Sequence, residues 1–175
     1  VSTYRKMFPW RPAEVSTPGS AFEVFDMPGY GRVGMSICYD IWFPEHTRHL
    51  AWMGADVVLN LVQTGTSDRE QELAIVRGNA IMNQVWEVSV NSAAPTGRGR
   101  SVLVDPQGVV RAACPESSPE VLTALVNFED ADGETIRELG ITFGAAPVAG
   151  LPAGQRYYTP AQIAQPGRLY TLERV

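Results

Sequence analysis

The stretch that decides the fold is residues 31–60, GRVGMSICYDIWFPEHTRHLAWMGADVVLN. Arg32 to Ile37 is a short β-type run, and Pro44 then suits the first turn of a helix for which Gly54 is a natural stop. The run ADVVLNLV at 55–62 is continuous, apolar and rich in β-branched residues, as is typical of a strand covered on both faces. A strand, a turn, a helix and a second strand in this order indicate an α/β layered domain.

The sequence on either side of this stretch adds further strands. A β-type run at 22–26 precedes the first strand, and the turn residues MPGYG between them favour a hairpin. Strand patterns also occupy 85–93 and 101–113, and a Pro-Gln-Gly turn at 106–108 divides the second of them. These runs extend the sheet of the predicted α/β domain.

A second helix is predicted between the strands at 55–62 and 85–93. Ser67 is suited to its N-cap, and Glu70, three residues on, would complete a capping box. Apolar residues follow at helical spacing, and the helix should end near Gln84.

The C-terminal part of the chain has a different composition. From Phe143 onward it is rich in Gly, Ala and Pro and shows no sustained period. We therefore expect two regions, a domain at 1–142 and an extended tail at 143–175 that packs on the domain or on a partner subunit.

Composition and charge narrow the class of protein. The chain has 175 residues, of which 45% are hydrophobic and 19% charged, as in an ordinary globular domain. Its formal net charge of -5 argues against a basic surface for nucleic acid or an anionic membrane. No apolar run reaches membrane-spanning length, and the two cysteines form no Cys-x-x-Cys pair. We expect a cytoplasmic protein that binds a small molecule, with no nucleic acid and no membrane as partner.

Two motifs could indicate a cofactor or a metal. GYGRVG at 29–34 matches G-x-G-x-x-G, but it opens a strand instead of a helix, so we interpret its glycines as turn residues. His46 and His49 lie three residues apart on one helical face, yet no fourth ligand accompanies them and Cys38. The sequence therefore predicts neither a cofactor nor a metal.

Cys38 admits two interpretations from its position. It falls where an apolar strand gives way to a turn and then a helix, a junction that exposes a side chain at the carboxyl end of a sheet. Backbone amides that follow such a junction can face a developing oxyanion. A free cysteine is more commonly a buried, small hydrophobic residue, so position alone leaves the nucleophile and the filler both open.

Several segments together resemble a known family. They are YRKMFPW at 4–10, Glu14 followed by Pro18-Gly19, the stretch 31–60, and GRGRSVLVDPQGVV at 97–110. The chain resembles the nitrilase superfamily of carbon-nitrogen hydrolases from about residue 4 to about residue 140, in its amidase-like branch. The resemblance implies an α-β-β-α sandwich without a metal, so that 1–142 is a partial domain of this type. It also implies hydrolysis of a non-peptide C–N bond, most of all in a small amide, through a cysteine thioester to a carboxylic acid and ammonia or an amine.

The resemblance assigns roles to five residues. Cys38 is the nucleophile and Lys6 is the cation beside it, which agrees with the chemistry because a nearby ammonium favours the reactive thiolate. The backbone amide of Tyr39 is an oxyanion donor. Glu14 corresponds to an additional glutamate that positions substrate or water, and Trp10 corresponds to a pocket aromatic of the aliphatic amidases.

One departure from the family leaves alternatives open. The family's general-base glutamate lies in a segment ahead of the lysine motif, and we expect this sequence to be the C-terminal part of the domain, without that segment. A catalytically impaired binding or assembly module and a nitrile-hydrolysing member are therefore alternatives. Members commonly pair subunits through the helix after the cysteine and through the C-terminal tail, so the resemblance also implies a homodimer or higher homo-oligomer.

Overall fold

The computed structural model of the protein describes residues 2–121 and 126, together with the backbone of four strand segments between 139 and 173. The chain divides into two compact units, 1–133 and 134–175. Strands and helices are numbered in chain order below, and each unit is described by itself.

A β-hairpin opens the first unit. Strand β1 (Val24–Met27) pairs antiparallel with β2 (Gly31–Ile37), in a register that sets Phe25 opposite Val33. Gly29, in the turn between them, has a φ of 81°, which a residue without a Cβ adopts at little cost. The hairpin predicted from the sequence is confirmed, although its first strand begins two residues later than expected.

Two crossovers then build the parallel centre of the sheet. A short 3-10 helix (Cys38–Trp42) and α1 (Pro44–Trp52) connect β2 to β3 (Val57–Val62). Helix α2 (Arg69–Asn83) connects β3 to β4 (Trp86–Asn91). Strands β2, β3 and β4 are parallel neighbours, so their carboxyl ends lie along one edge of the sheet.

Two antiparallel strands complete this sheet. Strands β5 (Val102–Val104) and β6 (Val110–Ala113) give the order β1-β2-β3-β4-β5-β6. The α/β class is confirmed, since helices pack against a mixed sheet. The predicted turn between β5 and β6 is present, with Gly108 at a φ of 79°.

The ends of the helices follow the sequence signals in three of four cases. Pro44 occupies the first turn of α1, the helix ends just before Gly54, and Gln84 closes α2 in the left-handed conformation. The prediction that Ser67 caps α2 is wrong. Asp68 is the N-cap residue, and it makes no capping hydrogen bond with its side chain.

Two core clusters lie between the sheet and the two helices. One cluster joins α1 to the sheet through Leu50, Ala51, Ala55, Val58 and Val85, and another joins α2 to it through Ile41, Val76, Ala80, Val102 and Val104. A Cβ on Gly34 would lie 3.1 Å from the Leu50 side chain and 3.3 Å from Ala55. The glycine therefore sets how closely α1 approaches β2.

Four strands are described in the second unit. They are β7 (Leu139–Phe143), β8 (Ala146–Pro147), β9 (Ile163–Gln165) and β10 (Arg168–Glu173), and they pair antiparallel as β7 with β10 and β8 with β9. Most of the region expected to form an extended tail, 143–175, lies outside the described residues, and that expectation stays a prediction.

Helices in the described part of the chain were compared with the length and apolar character that a membrane span requires. None of them meets both conditions.

Glu87 on β4 is a buried carboxyl group with no hydrogen bond of good geometry to either oxygen. Burial raises its pKa well above the ordinary value, and the hydroxyl of Thr47 on α1 offsets this only in part. A buried carboxyl without a cation is held in its neutral form because desolvation penalises the charged form. Folding therefore keeps a proton on Glu87 that the unfolded chain releases.

We predict that Glu87 makes folding less favourable as the pH rises. The unfolded group titrates near 4.5, the folded group well above it, and stability falls between the two values because the folded state binds the extra proton. Glu87→Gln should match the wild type in urea denaturation at pH 4 and exceed it by about 1 to 3 kcal/mol at pH 8. An equal difference between the two proteins at both pH values would contradict the prediction.

Candidate active site

Cys38 sits at the end of β2, where the chain turns into the 3-10 helix. Its φ of 49° lies in the left-handed region, which a residue with a Cβ adopts only at a cost. Such strain persists where surrounding structure holds it, and it is concentrated at functional sites. A sharp strand-to-helix turn of this kind presents the side chain at the carboxyl edge of the sheet, as the sequence predicts.

Asp40, two residues later, ties this turn to the N-terminal segment. Its side chain is fully buried. Oδ1 accepts hydrogen bonds from the backbone amides of Met7 at 3.1 Å and Phe8 at 2.8 Å. Oδ2 accepts from the Ile37 amide at 3.0 Å and from the Tyr4 hydroxyl at 2.7 Å. One carboxylate thus holds the segment that carries Lys6 against the turn that carries Cys38.

His46 on α1 supports the same arrangement. It is fully buried, and its Nε2 lies 2.8 Å from the Tyr4 oxygen. Since the Tyr4 hydroxyl donates to Asp40, this network assigns the His46 proton to Nε2. Burial lowers the pKa of His46, and the charge of Asp40 acts in the opposite direction. The sequence considered this histidine only as a metal ligand, whereas in the structure it contacts Tyr4 and so supports the network around Asp40.

Lys6 and Glu14 form an ion pair beside the turn. Lys6 Nζ donates to the two carboxylate oxygens of Glu14 at 2.8 and 2.7 Å, and the Trp10 amide donates to the same carboxylate at 2.9 Å. Partial burial would raise the pKa of Glu14, but these hydrogen bonds outweigh it and the pKa is lowered. Lys6 is buried, so the pair fixes the position of its ammonium group.

A cavity of about 400 Å³ opens at this edge of the sheet. Of the five residues singled out in the sequence, Cys38, Tyr39, Glu14 and Trp10 line it. Lys6 is not a lining residue, but it is paired with Glu14, which is. The remaining lining residues are Trp42, Gln63, Thr64, Gly65, Thr66, Asp68, Gln71 and Glu72. The structure therefore brings four of the five predicted residues to one cavity, from segments that are separated in the sequence, and pairs the fifth, Lys6, with one of them.

The electrostatic environment of Cys38 is mixed. Burial raises the pKa of its thiol, the charge of Lys6 lowers it, and the charge of Glu72 raises it. Hydrogen bonds from the Gln63 backbone amide and the Thr64 side chain favour the thiolate. The net effect is a raised pKa. A nearby ammonium is therefore present, as the sequence predicts, but it does not by itself overcome the cost of burial.

Sequence reasoning missed a second group of polar residues at the cavity. Glu72 and Arg69 on α2 are buried at 2% and 1% exposure and form an ion pair at 3.2 Å. The Thr64 hydroxyl donates to the other oxygen of Glu72 at 2.7 Å. The signal was available, because Glu72 precedes Leu73 and Val76 on the face of α2 that turns inward, where a charged residue needs an explanation.

Comparison with protein families identifies the chain. The family model described as carbon-nitrogen hydrolase matches residues 1–133, and a second model, described as baseplate wedge 3 tail fiber network component, matches residues 95–175. Because the first match covers well over half of the sequence, the chain belongs to the carbon-nitrogen hydrolase family.

Relatives of known activity include two bacterial formamidases. The formamidase of Helicobacter acinonychis is 37% identical over 91 residues, which are 51% of this chain and 27% of that protein. The formamidase of Bacillus thuringiensis is 37% identical over 95 residues, 54% of this chain and 29% of that protein. The matched region thus spans less than a third of the length of these relatives.

Solved structures agree on the fold. Nit3 of Saccharomyces cerevisiae, a member of branch 10 of the nitrilase superfamily, is 28% identical with a TM-score of 0.60, and the match covers 66% of this chain and 45% of Nit3. An amidase from Nesterenkonia sp. is 24% identical with a TM-score of 0.63, covering 67% and 47% respectively. The nitrilase-like fold expected from the sequence is confirmed.

We predict that Asp40→Asn separates the Lys6 segment from the Cys38 turn. Asparagine keeps one acceptor oxygen where the carboxylate uses two, so buried donors lose their partner and unfolding becomes easier by about 2 to 3 kcal/mol. Urea denaturation measures this cost. Asp26→Asn, which removes an exposed carboxylate paired with Arg32, is the matched control and should leave stability almost unchanged. Equal effects of the two substitutions would contradict the anchoring role of Asp40.

Proposed function

We propose that the protein hydrolyses a small amide through a thioester on Cys38. The observation that carries this proposal is a cavity lined both by Cys38, which is held in the left-handed conformation, and by Glu14, which is paired with Lys6. Membership of the carbon-nitrogen hydrolase family supports the reaction class. The similarity to formamidases favours an amide over a nitrile as substrate.

Lys6 serves the nucleophile in two ways under this proposal. Its charge favours the thiolate of Cys38, which is the reactive form, and so works against the effect of burial. When the thiolate adds to the carbonyl carbon, the same ammonium and the Tyr39 backbone amide stabilise the negative oxygen. Both tasks require that the ammonium stay in one place, which the bonds to Glu14 ensure.

Glu14 and Trp10 then have supporting roles. Glu14 holds Lys6 and offers a carboxylate at the cavity wall that orients substrate or water. The Trp10 amide donates to Glu14, so this residue is fixed at the rim while half of its surface remains exposed. An aromatic ring at the mouth of a cavity of about 400 Å³ suits a small acyl group.

The reaction proceeds in two halves. The thiolate sulfur forms a bond to the carbonyl carbon, and the C–N bond breaks as the nitrogen receives the proton that the Cys38 thiol gave up, which releases ammonia or an amine. Water then adds to the thioester carbon, the C–S bond breaks, and the carboxylic acid leaves. The residues proposed for these steps involve neither a metal nor a cofactor.

A second candidate function is a binding or assembly module. The raised pKa of Cys38 favours it, since a thiol that stays protonated reacts slowly. We also propose a homo-oligomer, because α1 exposes Trp52 and the residue after the helix, Met53, is also partly exposed. The rate of Cys38 alkylation by iodoacetamide near neutral pH distinguishes the hydrolase from the binding or assembly module. A rate no faster than that of a model thiol supports the module.

We predict that Cys38→Ala abolishes the acyl-enzyme detected by intact mass after mixing with formamide, acetamide or propionamide. Lys6→Met should lower kcat by about 10²-fold or more, because a donor to the developing oxyanion is lost. Cys114→Ala removes the other free cysteine and is the matched control, which should retain turnover. Turnover by Cys38→Ala would refute the proposal.

A further inference from the structure

The loop between β3 and α2 forms one wall of the cavity. It contributes Gln63, Thr64, Gly65 and Thr66 to the lining, more residues than any other single segment contributes. Thr64 is buried, at 8% exposure, whereas the other three residues are exposed. Thr64 is therefore the point at which this wall is attached to the rest of the fold.

Asn91, the last residue of β4, makes that attachment with its side-chain amide. Its Oδ1 accepts a hydrogen bond from the Thr64 backbone amide at 2.8 Å, and its Nδ2 donates to the Thr64 carbonyl at 3.1 Å. The same nitrogen donates to the Gly99 carbonyl at 3.0 Å. Asn91 is 6% exposed, and both protons of its amide nitrogen are used in these bonds. One side chain thus joins the β3–α2 loop to the loop between β4 and β5.

The sheet places Asn91 where it can make this connection. Strands β3 and β4 are parallel neighbours, and the last pair in their register sets Val62 opposite Asn91. The loop that carries Thr64 therefore begins beside the asparagine. A side-chain amide has the same acceptor and donor groups as a peptide bond, so Asn91 continues the pairing of the two strands beyond their ends.

The β4–β5 loop supports the same wall from behind. The Arg98 backbone amide donates to the Thr64 carbonyl at 2.8 Å. A Cβ on Gly65 would lie 3.1 Å from the Thr96 carbonyl oxygen, so the two loops are already in close contact there. The wall depends on both loops, and Asn91 is bonded to each of them.

The attachment of the wall is separate from that of the nucleophile. In the part of the chain that the structure describes, the side-chain bonds of Asn91 reach neither Cys38 nor Lys6. The segments that carry those two residues are joined by Asp40 instead. Any effect of Asn91 on the reaction therefore passes through the loop.

We propose that Asn91 is a positioning residue that sets the shape of the substrate cavity by holding the β3–α2 loop against the β4–β5 loop. This inference rests on the function proposed above. A wall that is fixed before the substrate arrives binds a fitting acyl group without a cost for ordering the loop. It also rejects a larger acyl group, because that group cannot displace the wall.

The first test measures the loop without any substrate. Hydrogen exchange of segment 63–66, followed by mass spectrometry, should be about 10-fold faster or more in Asn91→Ala, because the Thr64 amide loses its acceptor. Asn83→Ala is the matched control. Asn83 is likewise buried and donates from Nδ2 to a backbone carbonyl, that of Asn79, but it lies at the end of α2 away from the cavity. This control should leave exchange of segment 63–66 at the wild-type rate.

The second test measures kcat and KM with formamide, acetamide and butyramide. Asn91→Ala should raise KM for formamide by about 5-fold or more and shift the ratio of kcat/KM between formamide and butyramide by a similar factor in favour of butyramide. A merely structural role does not produce this result, since a loss of folded enzyme lowers kcat by one factor for every amide and leaves KM unchanged. Asn83→Ala should keep the wild-type KM and the wild-type ratio.

Asn91→Thr provides a second variant if Asn91→Ala does not fold. Threonine suits a strand and fills more of the space, but its single hydroxyl cannot bond Thr64 and Gly99 as the amide does. The same changes in exchange, KM and substrate ratio are expected from it.

The outcomes distinguish the role of Asn91 from the function on which it rests. Wild-type exchange of segment 63–66 in the Asn91 variants overturns the inference and leaves the hydrolase intact. Faster exchange with an unchanged KM and an unchanged substrate ratio also overturns it, because the loop then does not set the shape of the cavity. If the wild type turns over no amide, the proposed function fails, and the exchange rates still decide whether Asn91 holds the loop.

Discussion

The carboxylate of Asp40 is the interaction on which the candidate site depends. It accepts four hydrogen bonds from the N-terminal segment and from the end of β2, which lie about thirty residues apart in the sequence. Hydrogen bonds to a buried charge are stronger than neutral ones, and leaving any of their donors unpaired is costly. The geometry around Cys38 is therefore maintained by the fold itself.

The two cations of the site illustrate how burial and charge are balanced. Lys6 is neutralised by Glu14 and Arg69 by Glu72, and both carboxylates line the cavity. Neither cation is left to face the low-dielectric interior alone, which would cost several kcal/mol. The thiol of Cys38 lies between opposing influences, since Lys6 favours its ionisation and Glu72 disfavours it. Reactivity in such a setting depends on small changes in either pair.

Much of the fold could be predicted from the sequence because most helices and strands are determined by residues within the element or next to it. Three local features illustrate this: the apolar run at 57–62 predicts a strand, the glycines near 29–31 predict the hairpin turn, and Pro44 predicts the start of α1. The N-cap of α2 was misjudged, since Ser67 and Asp68 are both suited to that position and only the surrounding loop decides between them. Strand and helix boundaries shifted by one or two residues elsewhere.

The site was predictable to a different extent. Cys38, Lys6, Glu14, Tyr39 and Trp10 were selected through the resemblance to the family; four of them line one cavity, and Lys6 is paired with Glu14. Asp40 lies within the stretch that carries the resemblance but received no role from it, and Glu72 lies outside the resembling segments. Their importance comes from contacts with residues distant in sequence, such as Tyr4 for Asp40 and Thr64 for Glu72, and one-dimensional spacing does not contain this information.

The close approach of α1 to β2 has a consequence for how this site tolerates change. An added Cβ at Gly34 would lie 3.1 Å from the Leu50 side chain on α1, so that side chain would have to move by a few tenths of an ångström. His46 lies on the same helix and is hydrogen-bonded to the Tyr4 oxygen. A shift of the helix would therefore alter the position of the Tyr4 hydroxyl, which donates to Asp40. Gly34, four residues before Cys38, thus limits the distance between β2 and α1, and the position of His46 depends on that distance.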